Sequence, residues 1–358
     1  MNPRGVPRFA RRGAVLVSVA LLAMAGLAGA PMAGNKAFPA FIDMYADTPS
    51  GVTVDKPGNV YVSVRELSGR NVIWKYTPEG TASFYANMGS NGVVYGLAVT
   101  PSGDLYVAMA VPGPDHGVYR VDRKGNAELL PGSEKIVFPN GFAFDERGNL
   151  YVTESFSLVP GGYGQGGVWR IPREGAAELW VRDPELTGVA VPGSTQPPVG
   201  ANGIAYYHGD LFVTNTDKGR VVRIPVADDG SAGPLVMWKQ LEEVPESPLA
   251  GSAFPIKLDG LALDVHGNLY TTVLTRNAIV RLMAGDGTQE TVAVLGSTGK
   301  APSALLDFPA SLAFGTGAGE QQNLFVTNLG WMVRYLPDRT WPGSALVKVP
   351  AGAPGRPL

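Results

Sequence analysis

One phrase returns six times along this chain, and it limits what the chain can fold into. Each copy joins two apolar-alternating segments through a polar turn that contains Gly, as in LDGLALDVHGNLYTTV at residues 258–273. The first segment is led by Gly51, Gly96, Gly141, Gly203 and Gly260, and by Ser311 in the last copy. The spacings of 45, 45, 62, 57 and 51 residues identify an internal repeat, which is typical of repeat architectures.

Each repeat predicts a small antiparallel sheet. Period-2 alternation broken by Gly and Asn indicates two strands joined by a tight turn. A third segment follows each pair, as in GGVWRIPREG, and a fourth follows most of these, as in AAELWVRD. Six four-stranded sheets around one axis make an all-β, six-bladed β-propeller. A β-sandwich would not explain the periodicity.

The last repeat stops after its third strand. Residues 37–47, AFPAFIDMYAD, have the composition of a strand and precede the first repeat. We therefore expect them to supply the missing strand and to close the ring.

The first 30 residues are typical of an export signal. Arg4, Arg8, Arg11 and Arg12 precede an apolar run that ends in Ala28-Gly29-Ala30, the pattern of a cleaved secretory signal. The expected organisation is a signal at residues 1–30 and one propeller domain at residues 31–358, exported to the periplasm or the medium. A retained membrane anchor is the alternative, and Sec and twin-arginine export both remain open.

Composition narrows the function classes. The chain contains no cysteine, which excludes disulfides, thiolate metal sites and cysteine nucleophiles. Without the four signal arginines, the 29 Lys and Arg against 31 Asp and Glu become a net charge of about −6, so nucleic acid is not an expected partner. A closed propeller leaves few free sheet edges, so we expect a monomer.

Two sets of positions are predicted to meet at one mouth of the central channel. The leading positions, just before each phrase-leading residue, are Ser50, Tyr95, Asn140, Asn202, Asp259 and Ala310. The closing positions, at the end of each second strand, are Val64, Met109, Glu154, Asn215, Val273 and Asn328. Because the two strands are antiparallel, their oxygen-bearing members should form a ring. Strand-start turn chemistry is the alternative explanation for the Asn and Asp residues.

Long connections open on the same mouth. They span residues 156–167, 187–201, 242–257 and 329–343, and they carry Phe156, Tyr163, Phe254, Trp331 and Trp341. Long loops on a rigid scaffold often carry function, so we expect a partly apolar small-molecule substrate here, bound by Ser50, Tyr95, Asn140, Asn215, Phe156 and Trp331. Alternatively, these loops only plug the channel.

The phrases PNGFAFDERGNLYVTES, ANGIAYYHGDLFVTNT and LDGLALDVHGNLYTTV resemble the SMP-30/gluconolactonase/luciferin-regenerating-enzyme propellers, including their calcium-dependent phosphotriesterase-like branch. The resemblance spans the mature chain. It implies one divalent cation in the channel, most simply Ca²⁺, held by a first-blade Glu, a fourth-blade Asn and a fifth-blade Asp. Asn202 and Asp259 match the last two, and Asn140 matches a substrate-contacting position on the third blade.

This sequence departs from the family at the first blade, where Ser50 replaces the Glu. Ca²⁺ usually takes more than one carboxylate, and Glu154 is the candidate for a second, which makes the expected metal set Asn140, Glu154, Asn202 and Asp259. The first hypothesis is a metal-dependent hydrolase of lactones or related esters, with Asp259 or Glu154 as ligand and general base.

Two other functions fit the same fold. One is a non-catalytic ligand-binding or scaffold propeller, and the other is an enzyme resembling strictosidine synthase, which would use Glu154. The three histidines give little support to a His triad or a His-rich zinc site, because His208 and His266 lie in turns of the opposite mouth. Only His116 is expected near the ring.

Overall fold

The computed structural model of the protein describes residues 38–45, 47–111, 113–160, 162–190, 196–296, 304–331 and 342–357. The predicted signal and Trp341 lie outside these residues. Within them, helix is limited to 3₁₀ turns of three residues at Ser133–Lys135, Pro184–Leu186 and Leu274–Arg276. No helix in the described ranges has the length and apolarity needed to cross a membrane.

The strands are arranged into blades in chain order. After β1 (Phe41–Tyr45), the first blade contains β2 (Thr48–Val54), β3 (Val60–Arg65), β4 (Asn71–Tyr76) and β5 (Ala82–Asn87). The second contains β6 (Val93–Val99), β7 (Leu105–Ala110), β8 (Gly117–Val121) and β9 (Ala127–Leu129). The third contains β10 (Pro139–Phe144), β11 (Leu150–Glu154), the small hairpin β12 (Leu158–Val159) and β13 (Gly162–Tyr163), then β14 (Gly167–Ile171) and β15 (Glu178–Arg182).

The remaining blades repeat this order. The fourth contains β16 (Ala201–Tyr207), β17 (Asp210–Asn215), β18 (Arg220–Pro225) and β19 (Val236–Gln240). The fifth contains β20 (Leu258–Leu263), β21 (Leu269–Val273), β22 (Ala278–Leu282) and β23 (Gln289–Val294). The sixth contains β24 (Pro309–Phe314), β25 (Asn323–Asn328) and β26 (Ser344–Pro350).

Six four-stranded antiparallel sheets form the ring, which confirms the predicted six-bladed propeller. The sixth sheet has the order β1-β26-β25-β24, with Phe41 opposite Val347. The N-terminal strand therefore completes the last blade, as the sequence predicts. The apolar core lies largely between neighbouring sheets; Val221 of the fourth blade, for example, packs in one cluster with Leu258 and Val280 of the fifth.

The recurring Gly is explained by how closely neighbouring blades approach at the axis. A Cβ on Gly96 would lie 1.9 Å from the carbonyl oxygen of Asn140, and one on Gly51 would lie 2.3 Å from that of Tyr95. Such contacts are far inside van der Waals distance, so a side chain at either of these two positions would force the neighbouring first strands apart.

A recurring hydroxyl side chain near the end of five of the six second strands links one blade to the next; the second blade has Ala108 at this position. The hydroxyl of Thr272 donates to the carbonyl of Ala310 at 2.6 Å and accepts from Gly260 N–H at 3.1 Å. Thr153, Thr214, Thr327 and Ser63 make the corresponding bond to the following blade. These bonds satisfy buried backbone carbonyls around the channel.

The Asp-x-x-Gly-Asn turns are structural, as turn chemistry predicts. Asp264 accepts hydrogen bonds from the backbone N–H groups of His266 and Asn268, from the Asn268 side chain and from the Tyr270 hydroxyl. Asp145 is used in the same way. With its oxygens engaged by the turn itself, neither carboxylate is arranged to hold calcium.

Candidate functional site: a polar ring above an apolar collar

A narrow cavity of about 70 Å³ runs along the axis, and the leading positions line its upper end. Each first strand carries an irregularity at this point; in β10 the register shifts between Pro139 and Phe142, which places one extra residue opposite β11. Such bulges re-aim side chains. Five of the six leading residues line the cavity: Ser50, Asn140, Asn202, Asp259 and Ala310.

Directly below this polar ring lies an apolar collar. It consists of the residue that follows each phrase-leading position: Val52, Leu97, Phe142, Ile204, Leu261 and Leu312. Because every blade contributes one aliphatic or aromatic side chain, the collar provides no polar partner for an ion or a polar group. The upper mouth is therefore a polar pocket with an apolar floor.

Asp259 is the single charged side chain among the described residues that line this cavity. Burial raises the pKa of its carboxyl to about 8, and a hydrogen bond from Asn202 opposes that rise. The group is half-buried, because it remains open to the channel alone. A carboxylate without a cationic partner in such a place is costly to ionise, so it favours a bound cation or a retained proton.

The hydrogen bonds fix the orientation of Asn140. The Ser155 hydroxyl donates to the carbonyl of Ala201 at 2.8 Å, so its oxygen accepts the bond from Asn140 Nδ2 at 3.2 Å. The Oδ1 atom of Asn140 is then left without a donor among the described residues. Asn202 is held in the same manner, since its Nδ2 donates to Thr216 Oγ1 at 2.9 Å.

Ser155 and Thr216 were not predicted to belong to the site. Both stand one residue beyond a closing position, in the segments TES and TNT. The shared hydroxyl at that offset is the signal from which they could have been found. They act by orienting the two amides.

Glu154 does not line the cavity, contrary to the prediction for this residue. Its carboxylate accepts bonds from Val137 N–H at 2.8 Å, Trp169 Nε1 at 3.0 Å and Arg182 at 2.7 Å. Burial raises the pKa of the carboxyl, while these three donors oppose the rise. The side chain points away from the channel, and the preceding residue, Thr153, lies on the opposite face of β11, where its hydroxyl donates to the carbonyl of Asn202 on the fourth blade. Glu154 thus anchors the third blade instead of completing a metal site.

The other closing positions are structural in the same way. Asn215 is fully buried and donates to the carbonyls of Glu185 and Thr187, which holds the loop after β15. Asn328 donates to the carbonyl of Leu305 at 2.7 Å. The antiparallel pairing does bring these residues to the predicted mouth, since Asn215 pairs with Ala201 beside Asn202. Their side chains point into the protein.

A row of aromatic rings leads from Tyr95, the leading residue that does not line the cavity, to the exposed Tyr163. Tyr95 packs on Phe138 with centroids 4.8 Å apart, Phe138 on Phe156 at 4.6 Å, and Phe156 on Tyr163 at 5.0 Å. Burial, and next the charge of Asp259, raise the pKa of Tyr95 to about 12, so its hydroxyl keeps its proton. Phe138 was missed by the sequence analysis, although it stands just before Pro139 and Asn140.

Trp331 lies apart from that row. Its ring stacks on Phe308 with centroids 5.6 Å apart, in a cluster with Leu249, Leu274 and Leu329. Of the three aromatic residues predicted to bind substrate, Tyr95 and Phe156 therefore belong to one row, whereas Trp331 belongs to a second apolar cluster.

The oxygen-bearing side chains at the upper mouth fit one divalent cation, although they neutralise only part of its charge. The candidates are the carboxylate of Asp259 and the amide oxygens of Asn140 and Asn202, with Ser50 on the first blade. Hard cations take carboxylate and carbonyl oxygens. Within the described residues, no group of three or more His, Asp or Glu side chains could hold a metal, so Asp259 supplies the only charge of such a site.

Solved propellers of the same kind share this architecture. The chain is similar to a protein assigned as a gluconolactonase, at 17% identity over 90% of this chain and 97% of that chain, with a TM-score of 0.60. It is similar to a luciferin-regenerating enzyme at 16% identity, over 86% and 93%, with a TM-score of 0.60. It is also similar to regucalcin, a calcium-binding protein from Agrobacterium tumefaciens, at 15% identity over 90% and 98%, with a TM-score of 0.59.

The sequence matches no protein-family model and no curated protein. The structural likeness is to the SMP-30/gluconolactonase/luciferin-regenerating-enzyme propellers that the sequence resembles. At these identities, it establishes the shared fold.

Proposed function

We propose that the polar mouth of the channel is the active site of an exported hydrolase that cleaves a lactone or related ester with the help of one divalent cation, most simply Ca²⁺. The observation that carries the proposal is Asp259, a half-buried carboxylate at the channel with no cationic partner among the described residues and with the amides of Asn202 and Asn140 in the same cavity. The calcium-binding regucalcin neighbour supports the choice of ion.

Asp259, Asn140 and Asn202 would hold the cation. When bound, it supplies a Lewis acid that polarises the substrate carbonyl. Asp259 also takes the proton of the water that attacks the carbonyl carbon. The ring C–O bond then breaks, and the proton passes to the leaving oxygen, which yields the hydroxy acid. Glu154 takes no part, because its three hydrogen-bond donors occupy it.

The surroundings favour a partly apolar substrate. The row from Tyr95 to Tyr163 offers aromatic faces beside the pocket, and the collar gives the pocket an apolar floor. A substrate with an alkyl or aryl substituent would bury apolar surface here, which contributes about 25 cal/mol for each Å² removed from water.

The test compares the protein with its Asp259→Asn variant. After chelation, Ca²⁺, Mg²⁺, Mn²⁺ or Zn²⁺ is added back and the melting temperature is measured; an ion at 100 times its Kd stabilises by about 2.7 kcal/mol. We expect one ion to stabilise the parent and not the variant. Turnover of a panel of lactones is measured by the release of acid. It should require the same ion and be lost in the variant.

Asp259→Asn should fold, since it replaces an unpaired buried charge with a neutral group of the same shape. Glu79→Gln, an exposed carboxylate in the turn after β4, is the matched control and should retain both properties. Turnover that survives chelation or the Asp259→Asn change would refute the assignment.

A second function is favoured by one observation, the presence of Ser50 where the family pattern has Glu. With a single carboxylate, the pocket fits a non-catalytic ligand-binding propeller. A melting temperature that none of the added ions changes would favour that function. The strictosidine-synthase-like alternative loses its candidate catalytic group, because Glu154 lies outside the pocket.

Export and a monomeric state belong to the same proposal. The N-terminal segment supports export, and completion of the sixth sheet by β1 supports a closed monomer. Cell fractionation and light scattering of the mature protein test the two.

A further inference from the structure

A second, larger cavity of about 960 Å³ opens at the opposite mouth. Its size lies within the range of ligand-binding pockets. Apolar and aromatic side chains from five blades form much of its wall: Val54, Val99, Tyr106, Phe144, Leu263 and Phe314. Five of the six collar residues also line it, which separates this cavity from the polar ring above.

Four arginines line the same cavity, and two of them are compensated by carboxylates. Arg120 pairs with Asp104 at 2.9 Å, and Arg356 lies 3.9 Å from Glu146. The third carboxylate, Asp145, is occupied by its own turn.

The other two arginines have no acidic partner among the described residues. Arg147 donates to the backbone carbonyl of Asp228 at 2.8 Å, and Arg173 is exposed and makes no hydrogen bond or ion pair. Both come from the third blade, and the stem of Arg173 lies beside Gly148 in the turn that carries Arg147. Two uncompensated guanidinium groups therefore flank an apolar cavity.

The C-terminal segment closes one side of this cavity. Val265 N–H donates to the carbonyl of Pro354 and Arg356 N–H to that of Leu263, each at 3.0 Å, which fixes the segment across the fifth blade. The Arg356 side chain then donates to the carbonyl of Tyr206 on the fourth blade. The wall is thus formed by ordered backbone contacts.

We infer that this lower cavity is a second binding site, for an amphiphilic organic anion. A phosphate, sulfate or carboxylate headgroup binds Arg147 and Arg173, since guanidinium groups suit such oxyanions. The apolar body of the ligand packs on the aliphatic and aromatic wall. This inference does not depend on the proposed function of the upper mouth.

Octyl phosphate, below its micelle concentration, is the probe, and its affinity is measured by isothermal titration calorimetry. We expect binding that weakens at least tenfold in Arg173→Ala and further in Arg147→Ala/Arg173→Ala. Octyl glucoside has the apolar body without the anionic headgroup, and inorganic phosphate has the anion without the apolar body. Each should bind at least tenfold more weakly than octyl phosphate.

Arg70→Ala, an arginine that pairs with Glu66 on the outside of the first blade, is the matched control. It should leave the affinity unchanged, as should Asp259→Asn in the upper pocket. Arg173→Ala keeps the test valid if the double variant folds poorly, because Arg173 supports no other group. No binding of octyl phosphate, or equal affinity in parent and Arg173→Ala, would overturn the inference.

Discussion

Removal of the buried ion pair between Glu154 and Arg182 tests whether Glu154 has a structural role. Glu154 is fully buried, and Arg182, about a quarter exposed, lies 2.7 Å from it. Replacement of Arg182 by Met removes the one cation from a carboxylate that keeps only Val137 N–H and Trp169 Nε1. Breaking a buried pair from one side costs about 3–5 kcal/mol. Glu154 keeps two hydrogen-bond donors, and water reaches the position of Arg182. We therefore expect the loss of unfolding free energy to lie at the lower end of this range, about 3 kcal/mol.

The cost should depend on pH. Burial raises the pKa of Glu154 above the usual value of a glutamic acid, so between these two values the folded state binds more protons than the unfolded state. Stability from this group is therefore present at acid pH and lost as the pH rises through the raised pKa. Arg182 opposes that loss in the parent. Without Arg182 the pKa rises further, so the variant should lose more stability than the parent between acid and neutral pH.

Urea unfolding followed by tryptophan fluorescence at pH 5 and pH 8 measures both effects. The difference between parent and Arg182→Met should be largest at pH 8 and smaller at pH 5. Glu154→Gln/Arg182→Met, which removes both charges, should recover part of the loss. A cost below about 0.5 kcal/mol at pH 8, the size of an exposed pair, or an equal cost at both pH values, would refute the structural assignment.

Three further changes test the packing at the axis and in the turns. Gly96→Ala, whose Cβ would meet the carbonyl of Asn140 at 1.9 Å, should cost about 3 kcal/mol or more in urea unfolding, whereas Gly285→Ala, which meets nothing, should be neutral. Thr272→Val removes the hydroxyl bridge to the sixth blade and should cost about 1–3 kcal/mol, with recovery in Thr272→Ser. Asp264→Ala frees four donors and should lower the melting temperature much more than the same change at the exposed Asp228; equal effects would contradict the turn assignment.

The fold was predictable because several independent features of the repeat indicate the same structure. Alternation, turn residues and spacing all indicate four strands in each blade, and the incomplete last repeat indicates closure by the N-terminal strand. The close blade contact explains why Gly96 must be glycine, but the sequence shows only that the Gly returns. The reason for the Gly depends on where the neighbouring carbonyl lies, which only the structure shows.

The site was predictable in part, and the limit is physical. The leading residues could be placed at one mouth from strand direction alone. Glu154 could not be oriented, because the sequence does not show which neighbouring blade each face of β11 meets. Alternation does place Thr153 and Glu154 on opposite faces, yet only the structure shows that Thr153 bonds to the carbonyl of Asn202 on the fourth blade while Glu154 accepts from Val137 N–H. A one-residue change in phase exchanges the two.

The missing first-blade carboxylate gives the sharpest test of the upper pocket. Ser50 lines the same cavity as Asp259, so Ser50→Glu should place a second carboxylate in that cavity. Without an ion, two like charges in a small cavity should lower the melting temperature of the chelated variant. With Ca²⁺, a second charged ligand should raise the affinity at least tenfold, about 1.4 kcal/mol. Ser50→Ala, which adds no charge, should show neither effect. If Ser50→Glu is destabilised and Ca²⁺ does not restore it, the two carboxylates do not converge on one ion, and the leading ring cannot be the metal site.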